Sequence, residues 1–187
     1  MENSQIKLKK PEGLYAALLT PFDEERKVNE GELRKLVTWL VDKGVDGIFP
    51  LGSCGEAIHL SFEERVRVVE VILQAVDGRV PVIPGASDSC ASNVIKFIKE
   101  LERLCCAGAV ICPPYYLPIS EGGVIAHYEK IIEAAPNFPI VLYNAPAFSM
   151  PLTYNVVEKL AKYPNVVSMK DSSGSMVDFM NFMNIAN

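Results

Sequence analysis

Six short apolar runs, at 14–19, 47–51, 80–83, 109–112, 139–143 and 166–169, alternate along the chain with longer segments of helical period. No other feature narrows the fold as much. Runs this short do not make helices, and apolar runs without polar alternation suit strands that are covered on both faces. Strands separated by segments of helical pattern are read as βα units around a parallel sheet.

The helical segments carry their own start and stop signals. Asn29 is positioned as an N-cap before the stripe Leu33, Leu36, Val37, Leu40 and Val41, and Gly44 as its terminator. Ser61-Phe62-Glu63-Glu64 has the spacing of a capping box, followed by Val66, Val69, Leu73 and Val76, with Gly78 as the stop. Further helices are expected over 91–104, 122–135, 153–162 and 175–185, two of them starting near Ser120 and Thr153.

A βα repeat of roughly 30 residues with no linker between unlike domains is the rhythm of a (β/α)8 barrel, which usually needs about 250 residues. An open doubly wound sheet fits 187 residues better. Its glycine-rich phosphate turn is missing, however, and Leu19-Thr20-Pro21-Phe22-Asp23 stands after the first strand instead.

Charge and cysteine content exclude several function classes. A net charge of -5 with scattered lysines and arginines offers no basic face for nucleic acid, so a small-molecule ligand is expected. Residues 1–10 are polar and basic without an apolar core, and no run of about 18 apolar residues occurs. No membrane association and a cytoplasmic location are therefore expected. The five cysteines, Cys54, Cys90, Cys105, Cys106 and Cys112, have no CxxC spacing, and only His59 and His127 accompany them. Structural thiols for all but Cys54, and no metal, are the expectation.

In a parallel barrel the chemistry sits where strands end. After the six runs stand Thr20, Gly52-Ser53-Cys54-Gly55-Glu56, Gly85-Ala86-Ser87-Asp88, Pro113-Pro114-Tyr115-Tyr116, Tyr143-Asn144 and Lys170-Asp171-Ser172-Ser173. Hydroxyls, phenols and one amine would share one mouth, an inventory for proton relay around a nucleophilic lysine. Taken singly, Lys170 reads either as a Schiff-base amine or as a strand-end lysine snorkelling to solvent. The turn at 52–56 reads as a carboxylate cradle or as a tight connection. Tyr143 reads as an acid/base or as a buried phenol satisfying a backbone group.

Five motifs in one order resolve these alternatives: Thr20-Pro21-Phe22, Gly-Ser-Cys-Gly-Glu at 52–56, Pro-Tyr-Tyr at 114–116, Tyr-Asn-Ala-Pro at 143–146 and Lys-Asp-Ser-Ser-Gly at 170–174. The chain resembles the pyruvate-dependent class I aldolases of the dihydrodipicolinate synthase and N-acetylneuraminate lyase family, from about Gly13 onward. That resemblance implies an α/β fold, a TIM (β/α)8 barrel truncated to about six βα units. It implies one incomplete domain over 1–187, with 1–12 as an N-terminal extension. Lys170 would form a Schiff base with pyruvate or another 2-oxo acid, and Tyr143 would relay protons. Ser53 would supply the relay hydroxyl, and Tyr116 would enter a neighbouring subunit's site. Gly52, Ser53 and Cys54 would face the substrate carboxylate, with Thr20 in the same substrate-binding set. The partners implied are a 2-oxo acid, an aldehyde and further copies of the chain, as a homotetramer, with no cofactor.

Two departures shift the expected substrate. Dihydrodipicolinate synthases usually carry an arginine five positions after the active tyrosine, and Phe148 stands there; a phenyl ring cannot grip a carboxylate as a guanidinium does. Cys54 replaces a common threonine, and a thiol is a weaker hydrogen-bond partner. The expectation is a lyase of the N-acetylneuraminate or 2-keto-3-deoxy-sugar-acid type. Dihydrodipicolinate synthase and an inactive relic of the family are the alternatives.

Overall fold

Five of the six apolar runs form strands in the structure, a computed structural model that describes residues 10–185. The elements are β1 (Tyr15–Ala17), α1 (Glu30–Asp42), β2 (Gly47–Phe49), α2 (Phe62–Val76), α3 (Ala91–Arg103), β3 (Ala109–Ile111), α4 (Glu121–Ala134), β4 (Ile140–Asn144), α5 (Tyr154–Leu160), β5 (Val166–Asp171) and α6 (Met176–Ile185). A single 3₁₀ turn at Ala57–His59, absent from the sequence reading, precedes α2. Most of the expected extension at 1–12 lies outside the described residues.

The run at 80–83 is the exception. It lies parallel to β2, with Ile48 N–H donating to Pro81 O at 3.0 Å and Ile83 N–H donating to Ile48 O at 3.0 Å. Only one bridge forms, between Ile48 and Val82. Pro81 and Pro84 lack N–H donors, and the run is held by separate bonds rather than a continuous strand, with Gly85 N–H donating to Pro50 O at 2.8 Å beyond it.

The described residues gather into two compact units. One takes in Glu12–Ala86 and Lys99–Ala109, the other Ser87–Ile98 and the chain from Val110 onward. In the first, β1 and β2 pair in parallel, Tyr15 opposite Gly47. In the second, β4 pairs in parallel with β5, in a sheet whose order is β3-β4-β5.

The helix starts follow the sequence closely. Asn29 accepts from Glu32 N–H, Ser120 from Gly123 N–H and Thr153 from Val156 N–H. Ser61 Oγ accepts from Glu64 N–H at 3.2 Å while Glu64 Oε2 accepts from Ser61 N–H at 2.8 Å, closing the capping box. The end of α2 differs by one residue, since Asp77 already turns left-handed at φ 50° ahead of Gly78. Its buried stripe is also rotated. Val68, Val69, Val71, Ile72 and Val76 are buried, whereas Val66 and Leu73 are half-exposed. This helix is apolar on several sides, so its neighbours rather than its period choose the inward face.

The capping box gives a first prediction. Ser61→Ala should cost about 0.5–2 kcal/mol in urea unfolding, as cap removals do. The Ser61 backbone N–H holds the Glu64 carboxyl below the usual carboxylate range. A lowered pKa stabilises above the unfolded value and stops doing so as pH falls through the folded one. The gap between wild type and Glu64→Gln should therefore narrow on acidification; a gap that widens would refute the assignment.

Candidate active site

The ladder between β4 and β5 sets the geometry. Ile140 pairs with Val166, but Val141 pairs with Ser168, so Val167 is an extra residue in β5. Beyond it Leu142 faces Met169, Tyr143 faces Lys170 and Asn144 faces Asp171. An unbroken ladder from Ile140–Val166 would instead set Lys170 opposite Asn144, one step out of phase with Tyr143. The bulge thus brings the amine and the phenol side by side. Lys170 Nζ stands 4.3 Å from the centroid of the Tyr143 ring.

Burial differs sharply between the two strands. All five residues of β4 are buried, whereas all six of β5, at one edge of the sheet, are half-exposed. Lys170 is accordingly half-exposed rather than buried as its apolar run suggested, and Tyr143 is buried.

Asn144, Asp171 and Tyr128 hold the pair in place, residues to which the sequence reading gives no role. Asn144 Nδ2 donates to Asp171 Oδ1 at 2.7 Å, and Asn144 Oδ1 accepts from Leu152 N–H at 3.0 Å. Ser172 N–H donates to Asn144 O at 2.9 Å. The fully buried Tyr128 of α4 donates its hydroxyl to Ile111 O at 2.7 Å and receives the Tyr143 backbone N–H, tying the phenol's strand to β3. A signal was available for Asn144. Asparagine is a poor strand former, so one at a strand's end asks for a side-chain task.

Tyr116 stands apart. It is 95% exposed with φ +78°, a conformation few non-glycine residues adopt. Ser89 holds the loop, donating to Tyr115 O at 2.7 Å and accepting from Tyr115 N–H at 3.2 Å. Phe148 lies across from Tyr143, ring centroids 6.1 Å apart and edge-on.

The other expected site residues lie in the first unit. Ser53 and Cys54 are exposed and Gly52 half-exposed at the tip of a tight turn. Gly55 N–H bonds Gly52 O and Glu56 N–H bonds Ser53 O, both at 3.1 Å, so part of the backbone is committed to the turn itself. Thr20 is buried and donates its hydroxyl to Gly55 O at 2.7 Å, which anchors the turn to the end of the first run. Gly55 suits the close approach, since a Cβ there would stand 3.0 Å from both Leu18 O and Leu51 N and press on backbone.

The histidines and cysteines divide by exposure. His59 is exposed beside Glu56, and His127 is buried with Nε2 lacking a hydrogen-bond partner. Desolvation lowers the His127 pKa, partly opposed by Asp88, which favours the neutral ring. Cys54, Cys90 and Cys105 are exposed, and Cys106 and Cys112 buried. Burial pushes the Cys106 thiol up to about 12 and raises that of Cys112. Iodoacetamide at mildly alkaline pH should label the three exposed thiols well before Cys106 and Cys112, because the thiolate is the reactive form. Mass spectrometry of partly labelled protein checks the order. No group of three His, Cys, Asp or Glu able to hold a metal occurs among the described residues. None of the described helices is long and apolar enough to cross a membrane.

Comparison with known proteins identifies the family. Residues 10–186 match the dihydrodipicolinate synthetase family. The 4-hydroxy-tetrahydrodipicolinate synthase of Methanosphaerula palustris is 37% identical over 168 residues, 88% of this chain and 57% of that protein. Dihydrodipicolinate synthase of Acinetobacter baumannii, solved with pyruvate, superposes with a TM-score of 0.89 at 31% identity, covering 92% of this chain and 59% of that one. A catalytic-lysine mutant of the Ruminococcus gnavus sialic acid aldolase gives 0.89 at 28% identity, over 100% and 60%. The fold class is therefore α/β, of the class I aldolase barrel type, and the chain spans under two thirds of these relatives' length.

Proposed function

Because the chain belongs to the dihydrodipicolinate synthetase family, we propose that it is a Schiff-base aldolase acting on pyruvate or a related 2-oxo acid. The observation that carries this reading is the register pairing of Lys170 with Tyr143, its amine 4.3 Å from the phenol ring. A neutral amine adds to the 2-oxo carbon, water leaves, and the resulting iminium ion is an electron sink. In the cleavage direction a base takes the proton of the 4-hydroxyl and the C3–C4 bond breaks. The electron pair passes into the iminium to give an enamine, and an aldehyde departs. Protonation of the enamine carbon and hydrolysis then free pyruvate and the amine.

Tyr143 is assigned the proton transfers, since it is the phenol adjoining the amine. Ser53 is assigned the hydroxyl of the relay, and the turn holding Gly52, Ser53 and Cys54 the substrate carboxylate, with Thr20 anchoring that turn. Tyr116 is assigned to a second copy's site in a homotetramer; its exposure and its strained, clamped loop support this. No cofactor enters any step. The phenyl ring at 148 favours 4-hydroxy-2-oxo acids such as N-acetylneuraminate or 2-keto-3-deoxy sugar acids over dihydrodipicolinate synthase chemistry.

Borohydride reduction in the presence of pyruvate tests the reading, because it turns the imine into a stable secondary amine. Peptide mapping should find that adduct on Lys170. A folded sample that gives no adduct would mark the chain as a non-catalytic relative.

A further inference from the structure

The register that sets Lys170 beside Tyr143 competes with a second one, and burial does little to choose between them. Val166, Val167, Ser168 and Met169 are all half-exposed, with apolar residues in both phases of the alternation. The polar residues at the strand exits do choose. In the observed ladder Asp171 stands opposite Asn144, and Asn144 Nδ2 donates to Asp171 Oδ1 at 2.7 Å. A ladder continued from Ile140–Val166 without the extra residue would set Asp171 opposite Ala145, which has no side-chain donor. The Asn144 amide would then face Lys170, whose ammonium form has no acceptor. Asn144 is buried, so a donor left unpaired there goes without water as well.

The clasp is braced on both sides. Asn144 Oδ1 accepts from Leu152 N–H at 3.0 Å, which fixes how the amide is turned. Asp171 Oδ2 accepts from Ser173 Oγ at 2.8 Å, and that hydroxyl accepts from Ser175 N–H at 3.1 Å, just ahead of α6. Side chains alternate along a strand, so Asn144 and Asp171 project from the face opposite to that of Tyr143 and Lys170. Asp171 lines a cavity with Leu142, Val157 and Phe179, to which neither Tyr143 nor Lys170 contributes.

We propose that Asp171 is a positioning residue: by accepting the buried Asn144 amide it selects the bulged register, and so places the Lys170 amine against Tyr143 for imine formation. The inference rests on the Schiff-base reading of Lys170. Asp171 itself touches no reacting atom and moves no proton. It acts through the strand, on where the amine stands.

The test follows borohydride trapping on the whole chain over a range of pyruvate concentrations, with circular dichroism and the melting temperature as controls for folding. Wild type should carry the adduct on Lys170. Asp171→Ala should lower the saturating trapping rate by about 10–10²-fold, the loss that misplacing a reacting group by about an ångström brings. The half-saturating pyruvate concentration should change little, because the clasp lies on the other face from the site. Asp171→Leu, close to aspartate in shape but without an acceptor, should be as slow and serves if the alanine variant is unstable. Asp171→Asn keeps an oxygen that accepts from Asn144, and should restore the rate close to that of wild type. Met169→Ala thins the same strand without touching the clasp, and should likewise trap pyruvate nearly as fast as wild type. A folded Asp171→Ala protein that traps pyruvate at the wild-type rate overturns the register assignment and leaves the Schiff-base reading standing. An Asp171→Asn or Met169→Ala protein as slow as Asp171→Ala does the same, since the loss then follows the charge or general loosening of β5. If wild type traps no pyruvate, the Schiff-base reading falls and this assignment falls with it.

Discussion

Tyr143→Phe should lower aldol turnover by about 10²–10⁴, the usual contribution of a positioned acid or base, while leaving the protein folded. The substitution removes one oxygen and keeps the ring. The edge-on contact with Phe148 at 6.1 Å and the ring under the Lys170 amine at 4.3 Å both survive it. Packing of buried β4 is likewise retained, so circular dichroism and the melting temperature serve as internal controls. The decisive measurement is single-turnover cleavage, read alongside the rate of borohydride trapping. Turnover within threefold of wild type would remove Tyr143 from the proton path and leave it as a wall of the site. Loss of folding together with activity would show that the hydroxyl is structural.

The second large effect concerns the platform rather than the chemistry. Leu142 sits at the centre of β4, 1% exposed, between Val141 and Tyr143. Leu142→Ala should cost about 2–5 kcal/mol, the range for buried leucine truncations. At about 2–4 °C per kcal/mol for a chain of this size, the melting temperature should fall by roughly 4–20 °C. Met169, its partner in the ladder, is half-exposed on the edge strand. Met169→Ala should therefore cost distinctly less, although the two side chains are similar in size. Chemical denaturation of both variants measures the difference. Equal losses would mean that β5 is covered in solution, by another part of the protein or by another copy.

That asymmetry also explains where sequence reading failed. The run Val166, Val167, Ser168, Met169 has the composition of a buried strand, and in the structure every residue of β5 is half-exposed. Composition reports what a strand is suited to, whereas burial depends on what lies beside it. The run at 80–83 fell short of a strand, forming one bridge only; Pro81 within it and Pro84 after it lack N–H donors, a constraint that was legible but outweighed by the apolar pattern. Helix starts were legible because a cap is a local bond between residues three apart, as at Ser61 and Glu64. The inward face of α2 was not, because it depends on distant neighbours. Within the site, Lys170 and Tyr143 were legible as polar residues closing apolar runs. Asn144 and Tyr128, which hold them, act across 27 and 17 residues of sequence, on Asp171 and Ile111 respectively.

The sequence by itself determined that an amine and a phenol would emerge at the exits of two strands, since apolar length and the first polar residue beyond it are local properties. Whether they would share a face was decided only in the tertiary structure, by the single extra residue at Val167. Side chains alternate sides along a strand with a period of two, so one inserted residue moves everything after it to the other face. Nothing in the order of residues marks Val167 as that insertion; it arises from how β5 settles against β4.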